Sequence, residues 1–122
     1  MRCLATLSVG LALNLGVGSA FAGDVEVLAA TAQANGNSWR FEVTVRHADT
    51  GWEHYADAWR IVGLDGTVYG TRTLHHPHVE EQPFTRSLAG VVIPPGVSTV
   101  IVQARDSVHG WGAATFSVDL PL

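Results

Sequence analysis

The feature that most constrains the fold is an alternation of apolar and polar residues with a period of two, which recurs along the chain after Gly23. It is clearest from Trp39 to His47, where every second residue is apolar or aromatic. Successive side chains of a strand point to opposite faces, so this pattern predicts a strand buried on one face. His47 falls in the inward phase at the end of that strand. No stretch shows the period of 3.6 that an amphipathic helix requires.

Turn residues divide the alternating segments into seven predicted strands. These are Val25–Ala32, Trp39–His47, a segment with Trp59 and Ile61 inward, Val68–Leu74, Thr85–Ile93, Thr99–Arg105 with Val100, Val102 and Ala104 inward, and a last strand with Ala114, Phe116, Val118 and Leu120 inward. Short strands separated by Gly, Pro, Asn and Asp turns are typical of an antiparallel β-sandwich. The sequence therefore predicts an all-β fold.

The segment IPPGVSTVIVQARDS, from Ile93 to Ser107, resembles the turn into the sixth strand of immunoglobulin-like domains of the fibronectin type III sort. Trp39 and Leu88 also lie where that family tends to keep core residues. The chain departs from the family at Thr99, where the family has a tyrosine, and in having no cysteine pair. The resemblance implies a seven-stranded sandwich and no activity. The chain is also similar to small exported bacterial proteins, a likeness that supplies no function.

The first 22 residues predict a cleaved secretory signal peptide. Arg2 gives a positive start, Leu4–Val17 is largely apolar, and Ala20-Phe21-Ala22 is a small-x-small cleavage signal. We therefore expect residues 23–122 to form a single domain, periplasmic or secreted and without a membrane anchor. Cys3, the chain's one cysteine, lies in the leader, so this domain would hold together without a disulfide.

The charge balance argues against a nucleic-acid partner. The chain has a net charge of −4 with neutral histidines, and its seven basic residues are all arginine. Binding to phosphates requires clustered lysine and arginine, and no such cluster is present.

Consecutive antiparallel strands reverse direction, so alternate connections meet at the same end of a sandwich. The second, fourth and sixth predicted connections span residues 47–56, 75–83 and 107–113. Together they contain every histidine of the chain: His47, His54, His75, His76, His78 and His109. The other end carries ordinary turn residues. The sequence therefore predicts that the imidazoles gather at one end.

This gathering suggests a transition-metal site. His76 and His78 are two residues apart around Pro77, so an extended backbone presents both imidazoles to one side. His47, His54 and His109 are the candidates for the remaining ligands. Imidazole ligands suit copper(II), zinc or nickel, and the absence of cysteine and methionine from the predicted domain argues against a blue-copper or copper(I) site. We favour copper(II) or zinc.

The residues expected to border this site, or to contact a ligand there, are Trp52, Tyr55, Asp57, His75, Glu80, Glu81, Asp106 and Trp111. Asp57 and Asp106 are candidates for fixing imidazole tautomers. The aromatic residues favour an alternative function, a module that recognises a glycan, a peptide or a protein partner through the same loops. No nucleophile signature is present, so we expect a binding protein rather than an enzyme.

Overall fold

A computed structural model of the protein describes residues 24–121. The predicted signal peptide, residues 1–22, lies outside the described residues. Within the described range the chain is all-β, with seven strands in two antiparallel sheets. The strands are β1 (Glu26–Asn35), β2 (Ser38–Arg46), β3 (Ala56–Gly63), β4 (Val68–Thr73), β5 (Phe84–Val91), β6 (Thr99–Asp106) and β7 (Gly110–Asp119). The prediction of seven strands and an all-β class is confirmed.

One sheet has the strand order β1-β2-β5 and the other has the order β4-β3-β6-β7. The core lies between them and is built from the inward phase of each strand. Trp59 and Phe41 are its largest fully buried side chains. Six inward positions predicted for β2 and β6 are 0–2% exposed: Phe41, Val43, Val45, Val100, Val102 and Ala104. Trp39, the first inward position predicted for β2, is half-buried and packs against this core. Burying one such large apolar side chain contributes about 1.5–3 kcal/mol, which is why the alternation determines the face of each strand.

The last strand differs from the prediction. It begins at Gly110, so the sixth connection is the three-residue turn 107–109. Ala114 is exposed, whereas Val118 and Leu120 are buried as predicted. The early start has a local cause, because Gly110 takes a φ of 77°, a left-handed conformation that glycine adopts readily and that allows the chain to turn at once into β7.

Backbone hydrogen bonds bring the second, fourth and sixth connections to one end of the fold. The Ser107 N–H donates to the Tyr55 carbonyl at 2.9 Å, and the Leu74 N–H donates to the Asp57 carbonyl at 2.9 Å. These bonds join the start of β3 to the other two connections. No helix among the described residues is long and apolar enough to cross a membrane.

Candidate metal centre

Asp49 is a buried carboxylate that ties three segments together at this end. Its Oδ1 accepts a hydrogen bond from the Ala56 N–H (3.0 Å) and lies 2.6 Å from Nδ1 of His47. Its Oδ2 accepts from the His78 N–H at 2.8 Å. Because a carboxylate only accepts, the short contact places a proton on Nδ1 of His47. In the neutral ring, Nε2 then carries the lone pair with which imidazole binds metals.

Asp106, the last residue of β6, is the second buried carboxylate. Its Oδ1 accepts hydrogen bonds from the N–H groups of Val108 (2.8 Å) and His109 (2.7 Å), which close the turn into β7. Burial alone would raise the pKa of Asp106. The two backbone donors and the His109 imidazole outweigh that effect and hold the pKa below its ordinary value of 3.8. The group is therefore an anion at neutral pH.

His47, His54 and Asp106 form a compact set of possible metal ligands. Nε2 of His47 lies 3.7 Å from Asp106 Oδ2, and Nε2 of His54 lies 3.3 Å from Asp106 Oδ1. One ligand atom from each residue falls within 4.8 Å of the others. Zinc bonds of about 2.0–2.2 Å in tetrahedral geometry place ligand atoms roughly 3.3–3.6 Å apart. The cluster can therefore hold a metal ion with small side-chain movements.

His54 Nε2 supports this assignment. The atom is buried and forms no hydrogen bond within the described part of the chain, since its 3.3 Å contact with Asp106 lacks hydrogen-bond geometry. A buried polar atom without a partner costs about 1–3 kcal/mol. A bound cation would supply the missing interaction.

The electrostatic balance of the site also favours a cation. The side chains of Asp49 and Asp106 are 0% and 1% exposed. The nearby arginines have other partners, because Arg105 pairs with Asp57 at 3.0 Å and Arg86 lies 3.7 Å from Glu81. An uncompensated buried charge costs several kcal/mol. A bound metal ion would place positive charge beside both carboxylates.

Asp106 also belongs to a second group of possible ligands, with Asp24 and His109. One ligand atom from each of these three residues lies within 4.8 Å of the others. His109 Nδ1 is 3.1 Å from both oxygens of Asp106, and its side chain is 45% exposed. Asp24 reaches this end because β1 starts beside the end of β2, where Glu26 pairs with Arg46.

His76 and His78 lie at the same end but outside both groups. Their ring centroids are 4.6 Å apart, and the His78 ring stacks on Phe84 with a centroid distance of 3.8 Å. Nε2 of His78 accepts a hydrogen bond from Arg86 at 2.9 Å, while its Nδ1 is buried and unpartnered. Burial, and then the charges of Arg86 and His76, hold the pKa of His78 below 6.5 despite the opposing charge of Glu81. Among the described residues, no group of three possible ligands includes either histidine.

The predicted bordering residues divide between the centre and the neighbouring surface. Trp52 is 66% exposed and packs edge-on against Tyr55, with centroids 5.6 Å apart, on the connection that carries His54. His75 and Glu80 are exposed on the fourth connection.

Trp111 lies on β7 rather than in a loop. The Arg60 guanidinium covers its ring at 3.8 Å, and Arg105 lies at 5.6 Å from the ring centroid. Asp57 pairs with Arg105 instead of with an imidazole, and burial raises the pKa of Asp57. Trp111 and Asp57 therefore belong to an arginine-lined patch beside the histidine centre.

Asp49 and Asp24 were not among the predicted site residues. One signal was available for Asp49, a carboxylate two residues after the inward-facing His47. The chain turns there, and the Asp49 N–H donates to the His47 carbonyl at 2.9 Å. Asp24 could not be inferred in this way, since it precedes β1 and joins the centre through the pairing of β1 with β2.

The fold and the cluster define a class, an all-β protein of two antiparallel sheets with buried histidine and aspartate groups that can hold a metal ion. Over 86 residues, 70% of the chain, the sequence is 40% identical to a protein of Halomicrobium mukohataei named "Putative lipoprotein". The aligned segment covers 42% of that relative's length. No protein-family model matches the chain. No solved structure matches it either.

Proposed function

We propose that the protein is an exported β-sandwich domain that binds zinc or copper(II) through His47, His54 and Asp106. The observation that carries the proposal is the spacing of these three ligands together with the 2.6 Å contact between His47 Nδ1 and Asp49. Metal-bound histidines usually donate their second ring N–H to a carboxylate or carbonyl, which orients the ring and raises its basicity. Asp49 supplies such an acceptor to His47.

The donor set selects the metal class. Two imidazoles and one carboxylate without sulfur suit zinc or copper(II) better than copper(I) or calcium. A water molecule would complete the coordination. We assign the site a binding role and no catalytic one.

Two observations support the remaining parts of the proposal. The apolar segment before Ala22 and the name of the Halomicrobium relative support export to the periplasm or the cell exterior. The division of the strands into β1-β2-β5 and β4-β3-β6-β7 supports a sandwich of the fibronectin type III sort.

The test is a zinc titration of the untagged protein without its leader, by calorimetry and by competition with a chromophoric chelator. His47→Asn keeps an amide donor for Asp49 and removes the Nε2 ligand, and His54→Asn removes the second imidazole. We expect each change to weaken zinc binding by about 100-fold, because each removes a direct ligand. His75→Asn, which removes an exposed imidazole at the same end, should leave affinity unchanged.

Two results would overturn the proposal. One is an absence of zinc and copper(II) binding by the unaltered protein. The other is loss of the metal in a His76→Ala/His78→Ala double variant together with full binding by His47→Asn, which would move the site to the fourth connection.

The exposed Trp52 supports a second candidate function, recognition of a small polar ligand or a protein partner. A large aromatic ring that is 66% exposed beside Tyr55 offers a surface for stacking on a sugar or a peptide. A panel of oligosaccharides and peptides, screened by tryptophan fluorescence with and without EDTA, separates the two functions. Ligand binding that persists in EDTA and disappears in Trp52→Ala would establish recognition without metal.

A further inference from the structure

We infer that this end of the fold holds a second cation site, formed by Asp24, Asp106 and His109, with Asp106 shared between two divalent metal ions. The inference rests on the proposed function, because Asp106 is also a ligand of the first ion. It adds a metal stoichiometry of two and brings the segment before β1 into the centre.

The geometry supports a shared carboxylate. Asp106 belongs to both groups of ligand atoms, each of which fits within 4.8 Å, and the groups have no other member in common. A carboxylate has two oxygens and can give one to each of two ions. His109 Nδ1 lies 3.1 Å from each oxygen of this carboxylate. Pairs of metal ions that share ligands in this way are typically about 3.5–4 Å apart.

The accessibility of the two groups differs in a way that suits two ions. His47 and Asp106 are 3% and 1% exposed, so the first ion would be largely enclosed. Asp24 is half-buried and His109 is exposed. The second ion would therefore lie toward solvent and exchange more readily than the first.

Charge also supports a second cation. Asp24, Asp49 and Asp106 bring three carboxylates to the histidine centre, where Asp49 accepts hydrogen bonds from His47, Ala56 and His78. A single divalent ion compensates two negative charges. A second ion compensates the third and leaves one positive charge, which a hydroxide or another small anion between the ions can neutralise.

Stoichiometry is the direct test. Native mass spectrometry and calorimetry with zinc should show two ions per chain in the untagged protein without its leader. Asp24→Asn and His109→Asn should each bind one ion, because each change removes a ligand of the second site and retains His47, His54 and Asp106. Glu80→Gln makes the same charge change at an exposed position of the same end and should still bind two ions.

Copper(II) provides a second readout. Two copper ions about 4 Å apart couple magnetically, so the electron paramagnetic resonance spectrum at two equivalents should differ from twice the one-equivalent spectrum. Asp24→Asn should show only the uncoupled spectrum. Melting in EDTA checks that each variant is folded, and His109→Asn gives an independent test at an exposed side chain if Asp24→Asn is unstable.

The outcomes separate this inference from the proposed function. If no ion binds, both fail. If one ion binds and Asp24→Asn leaves it unchanged, the proposed function stands and the second site is refuted. If one ion binds and both Asp24→Asn and His47→Asn weaken it about tenfold or more, the residues form one larger centre and the two-ion inference is overturned. Two ions retained in Asp24→Asn, or an uncoupled copper spectrum, would also overturn it.

Discussion

The carboxylate of Asp49 accepts hydrogen bonds from the end of β2, the start of β3 and the fourth connection, so its chemistry matters for stability as well as for metal binding. Asp49→Asn replaces one of the two accepting oxygens with an NH₂ group. That group would face an N–H donor of His47, Ala56 or His78, and two donors cannot form a hydrogen bond. We expect the free energy of unfolding in EDTA to fall by about 2–3 kcal/mol, since a buried donor loses a charged partner.

The measurement is urea denaturation followed by circular dichroism, with Asp119→Asn as the matched change at an exposed position that accepts one hydrogen bond from Thr99. The control should change stability by about 0.5 kcal/mol or less. Equal losses in both variants would show that the three hydrogen bonds of Asp49 contribute little.

His78 makes stability depend on pH. Its pKa in the folded protein is held below 6.5, first by burial and then by the charge of Arg86, so the unfolded chain binds more protons in the interval between the two values. The contribution of neutral His78 to the free energy of unfolding is therefore fully present above pH 6.5, and it is lost as the pH falls toward the folded-state pKa.

The comparison is between the unaltered protein and His78→Gln, whose side-chain amide does not titrate and offers Arg86 an acceptor in place of Nε2. Melting in EDTA from pH 7.5 to 5.5 should lower the transition temperature more in the unaltered protein. If both proteins lose the same amount, His78 is not the source of the dependence.

At the scale of the elements, the turn between β6 and β7 depends on Gly110. Its φ of 77° is strained for any residue with a Cβ, although no atom lies within 4 Å of that position. We expect Gly110→Ala to destabilise the fold by about 1–2 kcal/mol. Gly112→Ala, on the same strand but without a positive φ, meets only the Ala104 carbonyl at 3.4 Å and should be near neutral. Thermal melting of the two variants tests this, and similar costs would contradict it.

The alternation was sufficient to predict β2 and β6 because each buries most of one face in the core. It was insufficient for the start of β7, where the side chain of Asp106 closes the turn through Val108 and His109. A side chain that bonds to backbone groups two and three residues ahead leaves no periodic signal. The same alternation therefore placed Val118 and Leu120 in the core but could not locate the first residue of the strand.

At the scale of the whole molecule, counting strand reversals was enough to predict that the histidine-bearing connections meet at one end. It could not predict which imidazoles converge there. The spacing of His76 and His78 predicts that both imidazoles bind one metal ion. In the structure, the His78 ring stacks on Phe84 and its Nε2 accepts a hydrogen bond from Arg86. Those contacts form between the fourth connection and β5, and a local pattern does not contain them. Asp106, expected as a supporting acceptor, lies instead at the centre of both ligand groups.

An ion bound to His47 and Asp106 would join the two sheets, because His47 follows β2 and Asp106 ends β6. Metal that binds only the folded chain stabilises it by about 2.7 kcal/mol at a free concentration 100-fold above Kd. For a domain of roughly 100 residues, this raises the melting temperature by roughly 10–20 °C.

We therefore expect zinc to raise the melting temperature of the unaltered protein and of His75→Asn by that amount, and to leave His47→Asn nearly unchanged. Scanning calorimetry at matched free zinc and in EDTA measures the difference. An equal rise in all three proteins would mean that zinc stabilises the fold from another site, because His47→Asn removes only the ligand atom that reaches across to the second sheet.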